Sequence, residues 1–193
     1  MGLVLITAPS VEPVTTAEVK THSRIDTSAD DAYIDTLIVS ARKSVEAFTG
    51  RALIDQTWDL SMDLEPSLSV LRLPLPPLSS VTSIKYYSEA DVETVYATTN
   101  YRVDTSESQG GRVALRDGHV WPTDIRYTNG IIIRFVAGYG ATAASVPEPI
   151  RHAIKLLAAH WYENREPVNV GNIVNPIPLM EQHLIWPFKV LRL

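Results

Sequence analysis

The placement of proline divides this chain into stretches that can be helical and stretches that cannot. Of thirteen prolines, none falls between Val14 and Glu65 or between Ile150 and Glu166. A proline inside a helix removes a hydrogen bond and clashes with the preceding turn, so long helices are confined to those two windows. In the first window, Thr15-Thr16-Ala17-Glu18 matches a capping box and predicts a short helix to about His22. Ser28, with Asp30 and Asp31 in the acid-favouring first turn, opens a longer helix. Ile34, Leu37, Ile38, Ala41, Val45 and Phe48 follow at helical spacing, and Gly50 suits the stop. In the second window a helix starts after Pro147, with Pro149 in its first turn, and Pro167 closes it. Its apolar stripe is Ile150, Ala153, Ile154, Leu157, Ala158 and Trp161.

Between Asp55 and about Gly140 the apolar period changes from 3.6 to 2. Trp58, Leu60, Met62 and Leu64 alternate with Asp59, Ser61 and Asp63. Further short strands are predicted at Val70–Leu73, around Ile84, at Val92–Tyr96, Tyr101–Asp104 and Arg112–Leu115, with Gly130–Val136 the most β-prone run. Short strands at this spacing suggest an antiparallel sandwich or barrel. The predicted class is therefore α+β: a core of two long helices with short flanking helices, a sandwich- or barrel-like β insertion, and an extended C-terminal tail. The expected organisation is residues 1–52 as the N-terminal helical part, 53–145 as the β insertion, 146–166 as the long core helix and 167–193 as the tail.

Composition narrows the function classes. The chain has 193 residues, enough to bury a core without staples, and no cysteine, which removes disulfides, Cys-based metal sites and thiol nucleophiles. Seventeen basic against 22 acidic residues, net −5, argue against a protein built to grip nucleic acid. Met1–Ile6 lacks a basic n-region and no run approaches the ~18 apolar residues of a membrane span, so a soluble, cytoplasmic chain is expected.

Catalytic patterns are sparse. Ser40 and Lys43 have Ser-x-x-Lys spacing, but they lie on a polar helix face without companion motifs. His160 and Glu163, with His152 further back, are spaced for a metal pair, yet no His-Glu-x-x-His is present. Gly138-Tyr139-Gly140 lacks the lysine and helix of a phosphate loop. No catalytic residue, metal or cofactor is expected. The competing class is a small-ligand or hydrolytic module with a pocket in the β unit, supported by those pairs alone.

Two features point towards protein contacts. Trp161, Tyr162, Glu163 and Arg165 place large aromatics among charges at a helix end, the make-up of an interface anchor and its rim. The other reading is that Trp161 caps the domain's own core. Leu184, Ile185, Trp186, Phe188, Val190, Leu191 and Leu193 crowd apolar surface into a chain end, a region that is usually polar. The tail either folds back on its own domain or docks into a partner.

A run of collinear segments carries a family resemblance. These include Arg24-Ile25-Asp26, Val45 to Leu53, Leu73-Pro74-Leu75-Pro76-Pro77-Leu78, Tyr101-Arg102-Val103-Asp104, Trp121-Pro122, Phe135 to Gly140, and Val146 to Arg151 continuing to His160–Arg165. Over roughly residues 5–170 the chain resembles the head–tail connector (adaptor, or head completion) proteins of long-tailed phages. The form with a β insertion is typical of prophages and of gene transfer agents in alphaproteobacteria. Ser23 stands where the family usually has Leu. The resemblance implies a non-enzymatic, homo-oligomeric ring, commonly of twelve subunits, in the neck of a virion or phage-like particle assembled in the bacterial cytoplasm. Its implied partners are the portal protein, a stopper or tail-side neck protein, and DNA only as non-specific cargo in the channel, with no membrane contact.

Overall fold

The computed structural model describes residues 1–63, 68–106, 110–165 and 183–191. The chain divides into a β unit, Met1–Ser10 with Asp55–Gly140, and a helical unit, Val11–Ile54 with the residues from Ala141 onward.

The β unit is organised around the most β-branched run. Among the described residues eight strands form: β1 Gly2–Thr7, β2 Gln56–Met62, β3 Val70–Arg72, β4 Leu78–Tyr87, β5 Glu93–Val95, β6 Tyr101–Asp104, β7 Arg112–Leu115 and β8 Ile131–Ala137. They make a five-stranded sheet of order β1-β2-β8-β4-β5 and a three-stranded sheet of order β3-β7-β6. Strand β8 is central because one of its faces, Ile131, Ile133, Phe135 and Ala137, is wholly buried. On its other face Arg134 reaches across the ladder to its register partner Asp59 with two hydrogen bonds of 2.8 and 2.7 Å.

In the small sheet Leu71 and Val113 supply the buried positions. Gly111 is required by packing there, since a Cβ would collide with the Leu78 side chain. Tyr96 stacks on Tyr101 and lies 4.9 Å from the Trp121 ring, whose indole N–H donates to Leu68 O at 2.7 Å.

Two expectations for this unit are corrected. Among the described residues the β unit contains two open antiparallel sheets and no closed barrel. The first ten residues, read above with the helical part, belong to the β unit: β1 pairs antiparallel with β2, Leu3 opposite Leu60 and Leu5 opposite Trp58. Helix periodicity is absent from Gly2–Thr7, and nothing local could reveal a ladder to residues more than fifty positions away.

The helical unit contains α1 Thr16–Ser23, α2 Asp31–Thr49 and α3 Glu148–Glu163. The capping box forms: Thr15 Oγ1 accepts from the Glu18 N–H at 3.2 Å, and Glu18 Oε2 accepts from the Thr15 N–H at 2.7 Å. Helix α2 stops at Gly50, whose φ of 71° is the left-handed cap that glycine tolerates. Its buried residues Ile34, Leu37, Ile38, Ala41 and Val45 and those of α3, Ile150, Ala153, Ile154, Leu157 and Ala158, form the packed seam of the unit.

Two guanidinium groups tie the segment before α1 to these helices. Arg42, only 5% exposed, donates from Nε to Glu12 and from Nη1 to Glu46, both at 2.7 Å. The other Glu46 oxygen accepts the Leu53 N–H at 3.0 Å, fixing the chain as it leaves α2. Arg151 on α3 binds the Pro13 carbonyl at 2.9 Å, Glu18 at 2.6 Å and Glu148 at 2.7 Å.

Ser23 ends α1 with a buried hydroxyl that has no hydrogen-bond partner among the described residues. A desolvated, unpartnered hydroxyl opposes folding, and an apolar group of suitable size removes that penalty.

Two stability measurements check this account by urea unfolding. Arg42→Ala leaves Glu12 and Glu46 facing each other. It is expected to cost about 2–3 kcal/mol, less than a fully buried pair because Glu12 retains contact with water. Ser23→Leu is expected to stabilise by about 1 kcal/mol.

Candidate protein interface

The aromatic end of α3 is turned largely into its own unit. The Tyr162 hydroxyl donates to Asp30 Oδ2 at 2.7 Å, and Arg165 Nη2 donates to the same oxygen at 2.9 Å. The Arg165 guanidinium also lies over the rings of Tyr33, at 4.8 Å, and Tyr162, at 5.1 Å. Asp30 precedes α2, yet makes no side-chain bond to that helix's amides. Its carboxylate is committed to α3 instead, which closes the seam at the start of α2 and the end of α3. The Tyr162 hydrogen bond first, then Arg165, holds the Asp30 carboxyl below its ordinary range, and the bond to Asp30 pushes the Tyr162 phenol up. Trp161 is half-buried and Glu163 is exposed. Of the four residues singled out at this helix end, Tyr162 and Arg165 therefore act as a clamp, while Glu163 and part of Trp161 face outward.

The described part of the tail, residues 183–191, lies against the end of α2. Ile185 is buried. The Arg51 Nε–H donates to the Phe188 carbonyl, and the Val190 N–H donates to Thr49 O at 2.8 Å. Val190 packs where Gly50 leaves room, 3.5 Å from the position a Cβ would occupy. The Lys189 ammonium sits over the rings of Phe48 and Trp186, at 4.6 and 5.0 Å. Leu184, Phe188 and Val190 are half-buried, whereas Trp186 is 58% and Leu191 65% exposed. The segment is thus held by main-chain bonds and one apolar anchor while presenting Trp186 and Leu191 outward. Leu193 lies outside the described residues.

The weak catalytic patterns are occupied with helix structure. The Ser40 hydroxyl donates to the Thr36 carbonyl at 2.9 Å on an exposed face, and Lys43 is exposed beside it. The Asn164 side chain donates to the His160 carbonyl at 2.9 Å, closing α3 next to Glu163. His152 meets the ring of His22 edge-on at 5.7 Å. Among the described residues no group of three His, Asp or Glu side chains is arranged to hold a metal. No helix among them is long and apolar enough to cross a membrane.

The clamp makes an acid-side signature. Because the folded-state pKa of Asp30 lies below the unfolded one, its stabilisation is present at neutral pH and is lost as pH falls through the folded value. Asp30→Asn should therefore be less stable than the parent at pH 7 and should show a flatter stability curve between about pH 5 and pH 2. Parallel curves in urea unfolding at stepped pH would show that the clamp is not titrating.

Residues 12–170 match the model of the head completion protein family. Comparison with curated proteins gives no match. Among solved structures, the chain is similar to a protein in the neck of an empty gene transfer agent particle computed with C6 symmetry. That match has a TM-score of 0.82 and 28% identity, and covers 100% of this chain and 97% of the other. A chain from the virion of a native gene transfer agent particle matches with TM-score 0.82 and 27% identity, again over 100% and 97%. A chain from the neck of a native particle computed with C12 symmetry gives 0.76 and 26% over the same shares. With the family model spanning well over half its length, this chain belongs to the head completion protein family.

Proposed function

We propose that the chain is a structural subunit of the neck of a gene-transfer-agent-like or phage-like particle. There it forms a ring below the portal, extends the DNA channel and joins the filled head to a stopper or tail-side protein. The observation that carries this reading is the end-to-end similarity, at 28% identity and TM-score 0.82, to a protein of a gene transfer agent neck. Particle assembly in the bacterial cytoplasm and a non-enzymatic role belong to the same reading.

The electrostatics suit a channel wall. DNA held by many phosphate contacts does not slide, since each neutralised phosphate adds affinity through counterion release. This chain has net charge −5, and Lys20, Arg42, Lys85, Arg112, Arg126, Arg134, Arg151, Lys155 and Arg165 are engaged with its own carboxylates. Cations committed internally do not form a phosphate-gripping stripe.

The tail is the portal contact in this reading. Its seated part positions Trp186 and Leu191 on the outside, and an exposed Trp beside an exposed Leu supplies the apolar anchor that a groove on a partner buries. Trp186→Ser with Leu191→Ser removes that anchor while leaving Ile185 and the Arg51 and Val190 bonds in place. The double variant should keep its circular dichroism spectrum and melt within a few degrees of the parent, yet fail to join portal-bearing heads, as read by electron microscopy and particle yield. A variant that still builds complete necks would refute tail docking.

A further inference from the structure

The helical unit carries an apolar groove of about 530 Å³ on one flank of α2, between that helix, the segment leading into α1 and residues 141–143. Its floor is Val14 and Ile38, both buried, and its walls include the half-buried Val39 and the exposed Val11. Two carboxylates stand above that floor, Glu12 and Asp35, and among the described residues no lysine or arginine lines the groove. Thr16 Oγ1 donates to Asp35 Oδ1, which fixes one oxygen of that carboxylate, and the other oxygen has no partner among the described residues. Glu12 accepts from Arg42 through Oε2, but Arg42 also meets Glu46, so two carboxylates against one guanidinium leave a negative charge over. The groove is therefore apolar at its base and negative at its rim. That combination selects a partner segment with an apolar side chain and a cation beside it.

The place of the groove on α2 says which partner fits it. The described tail segment is seated at the C-terminal end of this helix, with the Val190 N–H bonded to Thr49 O and Trp186 beside Phe48. From Asp35 to Phe48 the helix advances roughly 20 Å and turns so that the two side chains stand roughly 140° apart around its axis. The groove and the tail seat thus present separate surfaces on different flanks of one helix. The exposed face of α2 in a second copy does not suit the groove. Its Lys43 stands among Ser40, Ser44 and Ala47, whose side chains are too short to fill an apolar cavity. Lys189, a cation beside large apolar side chains, belongs to the tail, the contact given above to the portal. We infer that the groove receives a segment of the neck protein on the tail side. That segment lays an apolar side chain over Val14, Ile38 and Val39 and sets a lysine or arginine against Asp35 and Glu12. This inference rests on the connector reading above, in which the tail meets the portal, and supplies the second contact that a connector needs.

Two variants and one cross-link test the contact, all in the full chain within assembling particles. Asp35→Lys reverses the rim charge at an exposed site, and Val39→Arg fills the groove. Each variant should keep its circular dichroism spectrum and stay in the neck with the portal. The tail-side neck protein should fall ~10-fold or more in purified particles, read by quantitative mass spectrometry, as expected when a paired charge or an apolar anchor is lost. In otherwise unaltered chains, photo-leucine in place of Val39 should cross-link to that same protein, close to a lysine or arginine. Ordinary amounts of the tail-side protein in particles of folded Asp35→Lys and Val39→Arg would overturn the contact. A cross-link to the portal or to a second copy of this chain, or none in complete particles, would overturn it too. Each of these results leaves the connector reading standing. Where a variant fails to fold, the cross-link decides alone. Parent necks that lack the chain altogether would instead remove the connector reading.

Discussion

The helical unit depends on a charge that is expensive to bury. Arg42 sits inside α2 with 5% exposure, and a guanidinium there is tolerable only if carboxylates meet it. Burial works against its charge, and the hydrogen bond it donates to Glu12, followed by the field of Glu46, more than offsets that, holding the group firmly protonated. Satisfying Arg42 dictates the path of the chain in two places. Glu12 must come alongside α2, and Glu46, shared with the Leu53 N–H, fixes the exit from the helix. Arg151 repeats the device on α3, where its hold on Pro13 and Glu18 sets the capping box of α1 against the third helix. Arg51 extends it to the tail through the Phe188 carbonyl. The three arginines therefore assemble the N-terminal segment, the helices and the tail around one apolar seam.

That economy of charge connects structure to role. Many polar groups described in the helical unit are spent on fixing shape. Ser40 bonds to its own helix, and Tyr162 and Arg165 close the α2–α3 seam through Asp30. Exposed apolar side chains among the described residues include those of β1, Val92 and Val95, and Trp186 and Leu191 on the tail. Bare apolar surface of this kind marks places for contact with another protein.

Much of this was legible from local chemistry. The capping box at Thr15, the stripe of α2 ending at Gly50 and the buried run of β8 all depend on neighbours within a few residues, which periodicity reports directly. The features that escaped join distant positions. Tyr162 finds Asp30 from 132 residues away, so the internal bonds of Tyr162 and Arg165 could not be read from their neighbours in the sequence. Strand β1 lacks the alternation of a half-buried strand because neither face is buried, and its ladder to β2 is set by tertiary pairing. Spacing of strands gave no means to distinguish two open sheets from a barrel, since closure depends on register and order. The apolar tail left fold-back and docking open; in the described segment Ile185 is buried while Trp186 and Leu191 are exposed.

The central claim is that this chain works as one member of a closed ring in a particle neck. Electron cryo-microscopy of particles made with the chain bearing a small density label tests it most directly. The account predicts a rotationally symmetric ring of labelled density in the neck, adjoining the portal and surrounding the DNA path. Intact, infectious or transducing particles whose necks carry no label would contradict it.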